Sequence, residues 1–123
     1  MAQPERKVQI AIIKWLHLVM PHAMIQHCVN EHGKRGKAGM IAAQMNVSAG
    51  MMPGFPDLII MPYAKVGVFF LEVKAPKGRV STTQEHVHGM MRNLGYPVCV
   101  VRSIDDVRDF LQSENIGFNE VMM

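Results

Sequence analysis

The chain has 123 residues, of which 49% are apolar and 19% charged, a composition typical of one globular domain with its own core. No apolar run approaches the roughly 20 residues that cross a bilayer, and the N-terminal segment has no small-residue cleavage site. We therefore expect a cytoplasmic protein without a membrane partner. The formal charge of +3 is mildly basic and compatible with nucleic acid as a partner.

The first predicted helix begins near Pro4, which suits a first helical turn, and ends before Pro21. Its apolar stripe runs through positions 8, 12, 15 and 19 at helical spacing. Glu5 belongs to the same stripe, so we expect this carboxylate to face inward rather than toward water.

Strands and helices alternate after this helix. Ser81 and Gln84 form a capping-box pattern that begins a helix, and Ser103 with Asp106 predicts the cap of the last helix. The inner stripe predicted for the helix after Ser81 is Gln84, Val87, Met91 and Leu94. The other predicted elements are a strand over 24–29, a short helix over 40–45, a loop over 46–56, and strands over 57–61, 68–73 and 98–101.

This order predicts an α/β fold with a mixed sheet, a central hairpin and flanking helices around one core. The single domain covers residues 1–123, and residues 113–123 are expected to form a loosely ordered tail.

The two hairpin strands can be paired by counting outward from a turn centred between residues 64 and 65. This register places Ile59 opposite Phe70 and Asp57 opposite Glu72. Lys74 lies two residues beyond Glu72 and therefore points to the same face. Like charges directly opposite each other are destabilising unless a cation lies between them. The pair therefore predicts a Mg²⁺ or Mn²⁺ site, because these ions take carboxylate oxygens.

Hydrolysis of a phosphodiester is the chemistry that this pattern favours. A metal ion held by Asp57 and Glu72 would polarise the phosphodiester and lower the pKa of a bound water. Lys74 would orient that water or offset charge developing on the phosphate. Basic residues in two glycine-containing loops predict contact with DNA phosphates that weakens with salt. These residues are Lys34, Arg35, Lys37, Lys77 and Arg79.

Pro56-Asp57, followed after fourteen residues by Glu72-Val73-Lys74, resembles the PD-(D/E)xK signature of restriction-endonuclease-like nucleases. Further positions in register with this signature resemble the VRR-Nuc family of virus-type replication and repair nucleases. They are Glu5, Asn30, the basic loop after it, Gly54-Phe55, Ser81, Gln84 and Gly95. The similarity spans roughly residues 5–102.

The resemblance implies a restriction-endonuclease-like fold and a metal-dependent nuclease of viral or prophage type, acting in a bacterial or phage-infected cell. The implied metal ligands are Glu5, directly or through water, Asp57, Glu72 and the Val73 carbonyl. Lys74 would be the catalytic amine, and Gln84 would lie beside the site. Members of this size resemble homodimeric endonucleases that cut branched DNA such as four-way (Holliday) junctions.

Structural explanations remain for each of these residues. Asp57 could simply begin a surface strand, and Glu72 with Lys74 could be a solvated edge-strand pattern, although VFFLEV is apolar for an exposed edge. Glu5 could only complement the helix dipole, and Gln84 could only complete the cap. A DNA-binding or repair-assembly module with lost or accessory nuclease activity is the alternative function. A small metal-binding protein is a third, but it leaves the basic loops without a role.

Histidines and sulfur-containing residues suggest no further site. The histidines at positions 17, 22, 27 and 32 do not share one face of a helix or strand, and His86 and His88 are two apart on a helix. Cys28 and Cys99 are expected to be buried free thiols. The 12 methionines are read as adaptable core filler or a subunit contact surface.

Overall fold

The computed structural model describes residues 3–29, 36–63 and 66–120. Within these ranges a four-stranded mixed sheet has helices on both faces, as the sequence predicts. The elements in chain order are α1 (Gln3–Val19), β1 (Met24–His27), α2 (Gly36–Ser48), β2 (Leu58–Met61), β3 (Phe69–Val73), α3 (Thr82–Asn93), β4 (Val98–Val101) and α4 (Ile104–Ser113). No helix in the described ranges is both long and apolar enough to cross a membrane.

The sheet has the strand order β1-β2-β3-β4, with β3 and β4 parallel and the other pairs antiparallel. The hairpin register is the predicted one, because Ile59 pairs with Phe70 and Leu58 with Leu71. One step further along the same register, Asp57 lies across from Glu72. The sheet therefore ends in two carboxylates where β3 finishes and β2 begins.

Side chains alternate between two packed layers. One face of the sheet, with Leu58, Ile60 and Leu71, packs against α1 and α4. The opposite face, with Phe70 and Val98, packs against α3. All five residues of β3 are therefore buried, which excludes the solvated edge-strand interpretation of Glu72.

Helix α2 is longer than predicted and corrects the interpretation of the preceding loop. The expected helix over 40–45 is 13 residues long, Gly36–Ser48, so the predicted loop over 46–56 begins only after Ser48. Alanine, methionine and glutamine favour a helix here, and no proline interrupts the chain before Pro53. Lys37 consequently lies in the first turn of a helix rather than in a loop.

The inner stripe of α3 differs from the prediction at one position. Val87 and Met91 are buried as expected, but Leu94 is 76% exposed and His88 is buried instead. Leu94 caps the helix rather than continuing it, because Gly95 turns the chain with a φ of 91°. The stripe therefore follows positions 84, 87, 88 and 91, with a histidine facing the sheet.

The segment after α4 is packed onto α1. Ile116 is 5% exposed, and the ring of Phe118 lies edge-on to Trp15 with centroids 5.6 Å apart. The Asn119 N–H donates to the Val19 carbonyl at 2.8 Å. These contacts attach residues 116–119 to the core, although the sequence after Gln112 gives only weak signals for a helix or strand.

Candidate active site

Asp57 is held between two strands. Its backbone carbonyl accepts a hydrogen bond from the Cys28 N–H at 2.7 Å, which extends the β1–β2 pairing by one residue. Its side-chain Oδ2 accepts from the Val73 N–H at 2.8 Å. The carboxylate is thus oriented toward β3 and Glu72 rather than outward as a surface strand start would be.

The Gly54-Phe55-Pro56 segment determines how the chain enters Asp57. Gly54 has a φ of 87°, and a Cβ there would lie 2.8 Å from the Thr83 carbonyl oxygen in the first turn of α3. Only glycine accepts both this conformation and this approach. The Phe55 ring is edge-on to Phe70 with centroids 5.7 Å apart, which anchors the segment to the sheet.

Each of the two carboxyl groups affects the pKa of the other, as expected for side chains that meet across the hairpin. Burial, together with a hydrogen bond and charge repulsion from Glu72, raises the pKa of Asp57 from 3.8 to about 7. Burial also raises the pKa of Glu72, although the hydrogen bond with Asp57 and the charge of Lys74 act in the opposite direction. Without a cation, the pair therefore favours a shared proton near neutral pH.

Lys74 and Glu5 both act electrostatically on this pair. The charge of Lys74 lowers the pKa of Asp57 and of Glu72. Partial burial and the charge of Asp57 raise the pKa of Glu5, while Lys74 lowers it. The N-terminal turn of α1 therefore brings Glu5 to the same end of the sheet, as its place on the apolar stripe suggests.

Gln84 completes the cap and also lines the site. The Ser81 Oγ accepts from the Gln84 N–H at 3.1 Å, and the Gln84 Oε1 accepts from the Ser81 N–H at 2.9 Å. The predicted capping box is thus confirmed. Because the cap engages only Oε1, the amide nitrogen of the side chain remains a donor group at the edge of the cleft.

A cleft of about 410 Å³ lies at this end of the sheet. Four of the residues predicted for the site line it: Glu5, Asp57, Glu72 and Gln84. Sequence reasoning placed neither Cys28 nor Met51 there, since Cys28 is remote from the PD…ExK pattern and Met51 lies in the loop before it, which has no clear element signal. Burial and the charge of Asp57 raise the pKa of the Cys28 thiol, so it stays protonated at neutral pH.

His88 is a buried polar residue beside the site that sequence reasoning missed. Its Nε2 lies 3.3 Å from Glu72 Oε1, and the two side chains are 2% and 1% exposed. The signal was available, because His88 is four residues after Gln84 and so lies on the same helix face.

Asp57 and Glu72 offer part of the donor set that a divalent cation requires. In the parts of the chain that the structure describes, no three histidine, cysteine, aspartate or glutamate side chains are arranged to hold a metal ion together. Asp57 and Glu72 form a carboxylate pair whose repulsion a cation would relieve. Two carboxylates fit Mg²⁺, which normally retains several waters. Glu5 then fits better as a partner of such waters than as a direct ligand.

The predicted DNA-binding residues fall into two groups. Lys77 and Arg79 are exposed in the loop that leads from Lys74 to α3. Arg102 supports this loop by donating from Nη2 to the Gly78 carbonyl at 3.0 Å. Lys34 and Arg35, like Asn30, lie outside the described residues, and for Lys37 only the position in α2 is described.

Comparison with known proteins identifies the family. The model of the VRR-NUC domain matches residues 2–105. The chain belongs to the VRR-NUC family. A solved structure of a VRR_NUC domain protein is similar, with a TM-score of 0.64 and 20% identity over 98% of this chain and 95% of that one. That likeness shows a shared fold. A comparison with curated protein sequences gave no match.

The resemblance inferred from the PD…ExK pattern and the α/β fold class are thereby confirmed. Membership in VRR-NUC makes the chain a nuclease-type domain, and DNA is the substrate class that such a domain implies.

Proposed function

We propose that this VRR-NUC domain is a Mg²⁺- or Mn²⁺-dependent endonuclease that hydrolyses phosphodiester bonds in branched DNA, with four-way (Holliday) junctions as its substrate. The observation that carries the proposal is the opposition of Asp57 and Glu72 in a cleft, where burial raises the pKa of both carboxyl groups and Glu72 raises that of Asp57 further. A structural ion pair would instead place opposite charges there. Two adjacent acids beside Lys74 fit a site that receives a cation and a phosphate.

Asp57 and Glu72 would hold the ion, and the Val73 carbonyl is the third proposed ligand. The β2–β3 register places Val73 across from Pro56, which has no N–H to donate to that carbonyl. The Val73 N–H turns instead to the Asp57 carboxylate. This arrangement supports a role for the proline of the motif in keeping a backbone oxygen available beside the two acids.

The bound ion supplies Lewis-acid polarisation of the phosphodiester and neutralises its charge. Lys74 offsets negative charge that develops on the phosphate, as a preorganised cation can in a partly buried site. Gln84 contributes its amide N–H₂ to a phosphate oxygen or to the attacking water. Glu5 accepts a hydrogen bond from a water at the opposite side of the cleft. Lys77 and Arg79 hold the DNA backbone next to the site.

A homodimer is part of the proposal because α2 exposes an apolar surface. Met40, Ile41, Met45 and Val47 are 65%, 49%, 67% and 47% exposed. An exposed apolar surface of this kind marks an interaction site more often than a free one. A second copy bound through α2 would create two symmetric sites, which matches the two symmetric strands cut in a four-way junction.

Cleavage of labelled four-way, flap, duplex and single-stranded DNA tests the proposal. We expect paired incisions in the junction with Mn²⁺ or Mg²⁺, and none with a chelator. Lys74→Ala should lose cleavage but still bind the junction in Ca²⁺. Binding without cleavage of any substrate by the wild-type protein would favour the DNA-binding module instead. Wild-type cleavage by Lys74→Ala would refute the role assigned to the amine.

A further inference from the structure

We propose that His88 is a positioning residue, which holds the Glu72 carboxylate in the orientation that binds the divalent ion. The inference rests on the proposed function and adds a residue outside the PD…ExK pattern. His88 touches neither the phosphate nor the proposed ion. It acts through Glu72.

The contact between the two side chains determines which atoms take part. His88 Nε2 lies 3.3 Å from Glu72 Oε1. The ionised carboxylate that binds a cation has only acceptors, so in that state Nε2 carries the hydrogen and donates it. One carboxylate oxygen is thereby engaged from the helix side, while Glu72 also forms a hydrogen bond with Asp57 and lines the cleft. With side chains 2% and 1% exposed, water does not compete for this hydrogen bond.

The His88 imidazole is carried by a helix that packing holds in place. Val87 and Met91 lie on either side of His88 along α3 and are 4% and 8% exposed in the cluster with Phe70. The helix therefore cannot rotate or shift without opening that cluster. The flexible side chain in the pair is Glu72, whose rotamers would otherwise be free to turn its carboxylate away from Asp57. A donor on a fixed helix removes that freedom.

The placement of His88 on α3 also connects it to the edge of the cleft. Gln84, one turn earlier on the same helix face, lines the cleft beside Glu72. A single helix face thus supplies one residue that faces the substrate space and one that supports a proposed ligand. Partners of metal ligands typically change metal affinity by about 10–100-fold when they are removed.

A purely structural role predicts a different outcome. If His88 only satisfied a buried carboxylate, its loss would lower the melting temperature and leave Mn²⁺ affinity unchanged in the folded protein. Positioning predicts that Mn²⁺ affinity depends on a donor at the Nε2 position. Gln places its amide nitrogen near that position, whereas Asn is one methylene shorter and reaches only the place of Nδ1. The pair His88→Gln and His88→Asn therefore separates the two roles.

The experiment measures Mn²⁺ binding to the full chain by calorimetry and by electron paramagnetic resonance, without DNA. His88→Leu and His88→Asn should weaken binding about 10–100-fold, and His88→Gln should stay within about threefold of wild type. Cleavage by His88→Leu should need correspondingly more Mn²⁺ and approach the wild-type rate at saturation. Val107→Ala, a packing control in the core on the other face of the sheet, should melt earlier with unchanged affinity. His86→Leu, an exposed control on the same helix, should change neither.

The possible results distinguish a failure of the proposed nuclease function from a failure of the role assigned to His88. A wild-type protein that binds no Mn²⁺ and cuts no DNA would remove the proposed function itself. A wild-type protein that binds and cuts, together with wild-type affinity in His88→Leu, would overturn only the role of His88. If His88→Leu does not fold, equal affinities of the Gln and Asn variants would overturn it in the same way.

Discussion

Replacing Asp57 with Asn should stabilise the metal-free protein at alkaline pH, although it removes a proposed ligand. Burial and Glu72 raise the pKa of Asp57 from 3.8 to about 7 in the folded protein. The folded state therefore keeps a proton that the unfolded state releases between about pH 4 and 7. Stability falls as pH rises through this window, and the loss is complete above pH 7. Asn has no proton to lose, keeps an acceptor for the Val73 N–H and offers a donor to Glu72.

The expected gain in stability follows from the size of the shift in the pKa of Asp57. Each pKa unit corresponds to about 1.4 kcal/mol, so a pKa raised from 3.8 to about 7 sets an upper limit of about 4 kcal/mol. Asp57 is partly exposed and solvent screens part of the repulsion, so we expect about 2 kcal/mol. A 123-residue chain has an unfolding entropy of about 0.26 kcal/mol/K, which converts this gain into a melting temperature about 8 °C higher.

Thermal unfolding followed by circular dichroism in chelator at pH 4.5 and pH 8 measures this difference. We expect the variant to melt about 8 °C above wild type at pH 8 and close to it at pH 4.5. Mn²⁺ should raise the melting temperature of wild type but not of Asp57→Asn. The exposed Asp109→Asn makes the same chemical change away from the site and should alter neither profile. An Asp57→Asn variant that is less stable than wild type at pH 8 would refute the reasoning.

Three further changes test other parts of the structure. Gly54→Ala should lower the free energy of unfolding by about 1–3 kcal/mol in chemical denaturation, because the new Cβ would clash with α3. Gly50→Ala, which has open space around it, should lower the free energy of unfolding less. Lys77→Ala and Arg79→Ala should each reduce the slope of log K against log salt by about 1 in junction binding, and an unchanged slope would argue against phosphate contact. Met45→Glu should convert a dimer to a monomer in light scattering, and a wild-type protein that is already monomeric would contradict the role of α2.

Features set by short-range patterns could be predicted from the sequence. The hairpin register follows from counting across a short turn, and it correctly brought Asp57 beside Glu72. The capping box at Ser81 depends on groups three residues apart, so its hydrogen bonds were predictable as well. The strand Val98–Val101 has the predicted bounds, because a glycine turn precedes its continuous apolar run and a helix cap follows it, although its two middle residues are only partly buried.

Features that depend on contacts between distant segments could not be predicted in this way. The length of α2 was underestimated because residues that favour a helix are interspersed with glycines in that segment, and the local pattern does not decide between them. Leu94 was expected in the core, yet the helix ends before it and leaves it in solvent. Cys28 reaches the cleft only because β1 pairs with β2 beside Asp57.

The sequence by itself determined the family, the strand pairing and the two acids with their lysine, since spacing along one hairpin controls which side chains meet. Only the tertiary structure decided that a histidine of α3 faces Glu72 and that Cys28 lines the cleft. The physical reason is that a periodic pattern shows which face of a helix is buried. Where that helix sits on the sheet depends on packing against Phe70 and its neighbours, which no local pattern encodes.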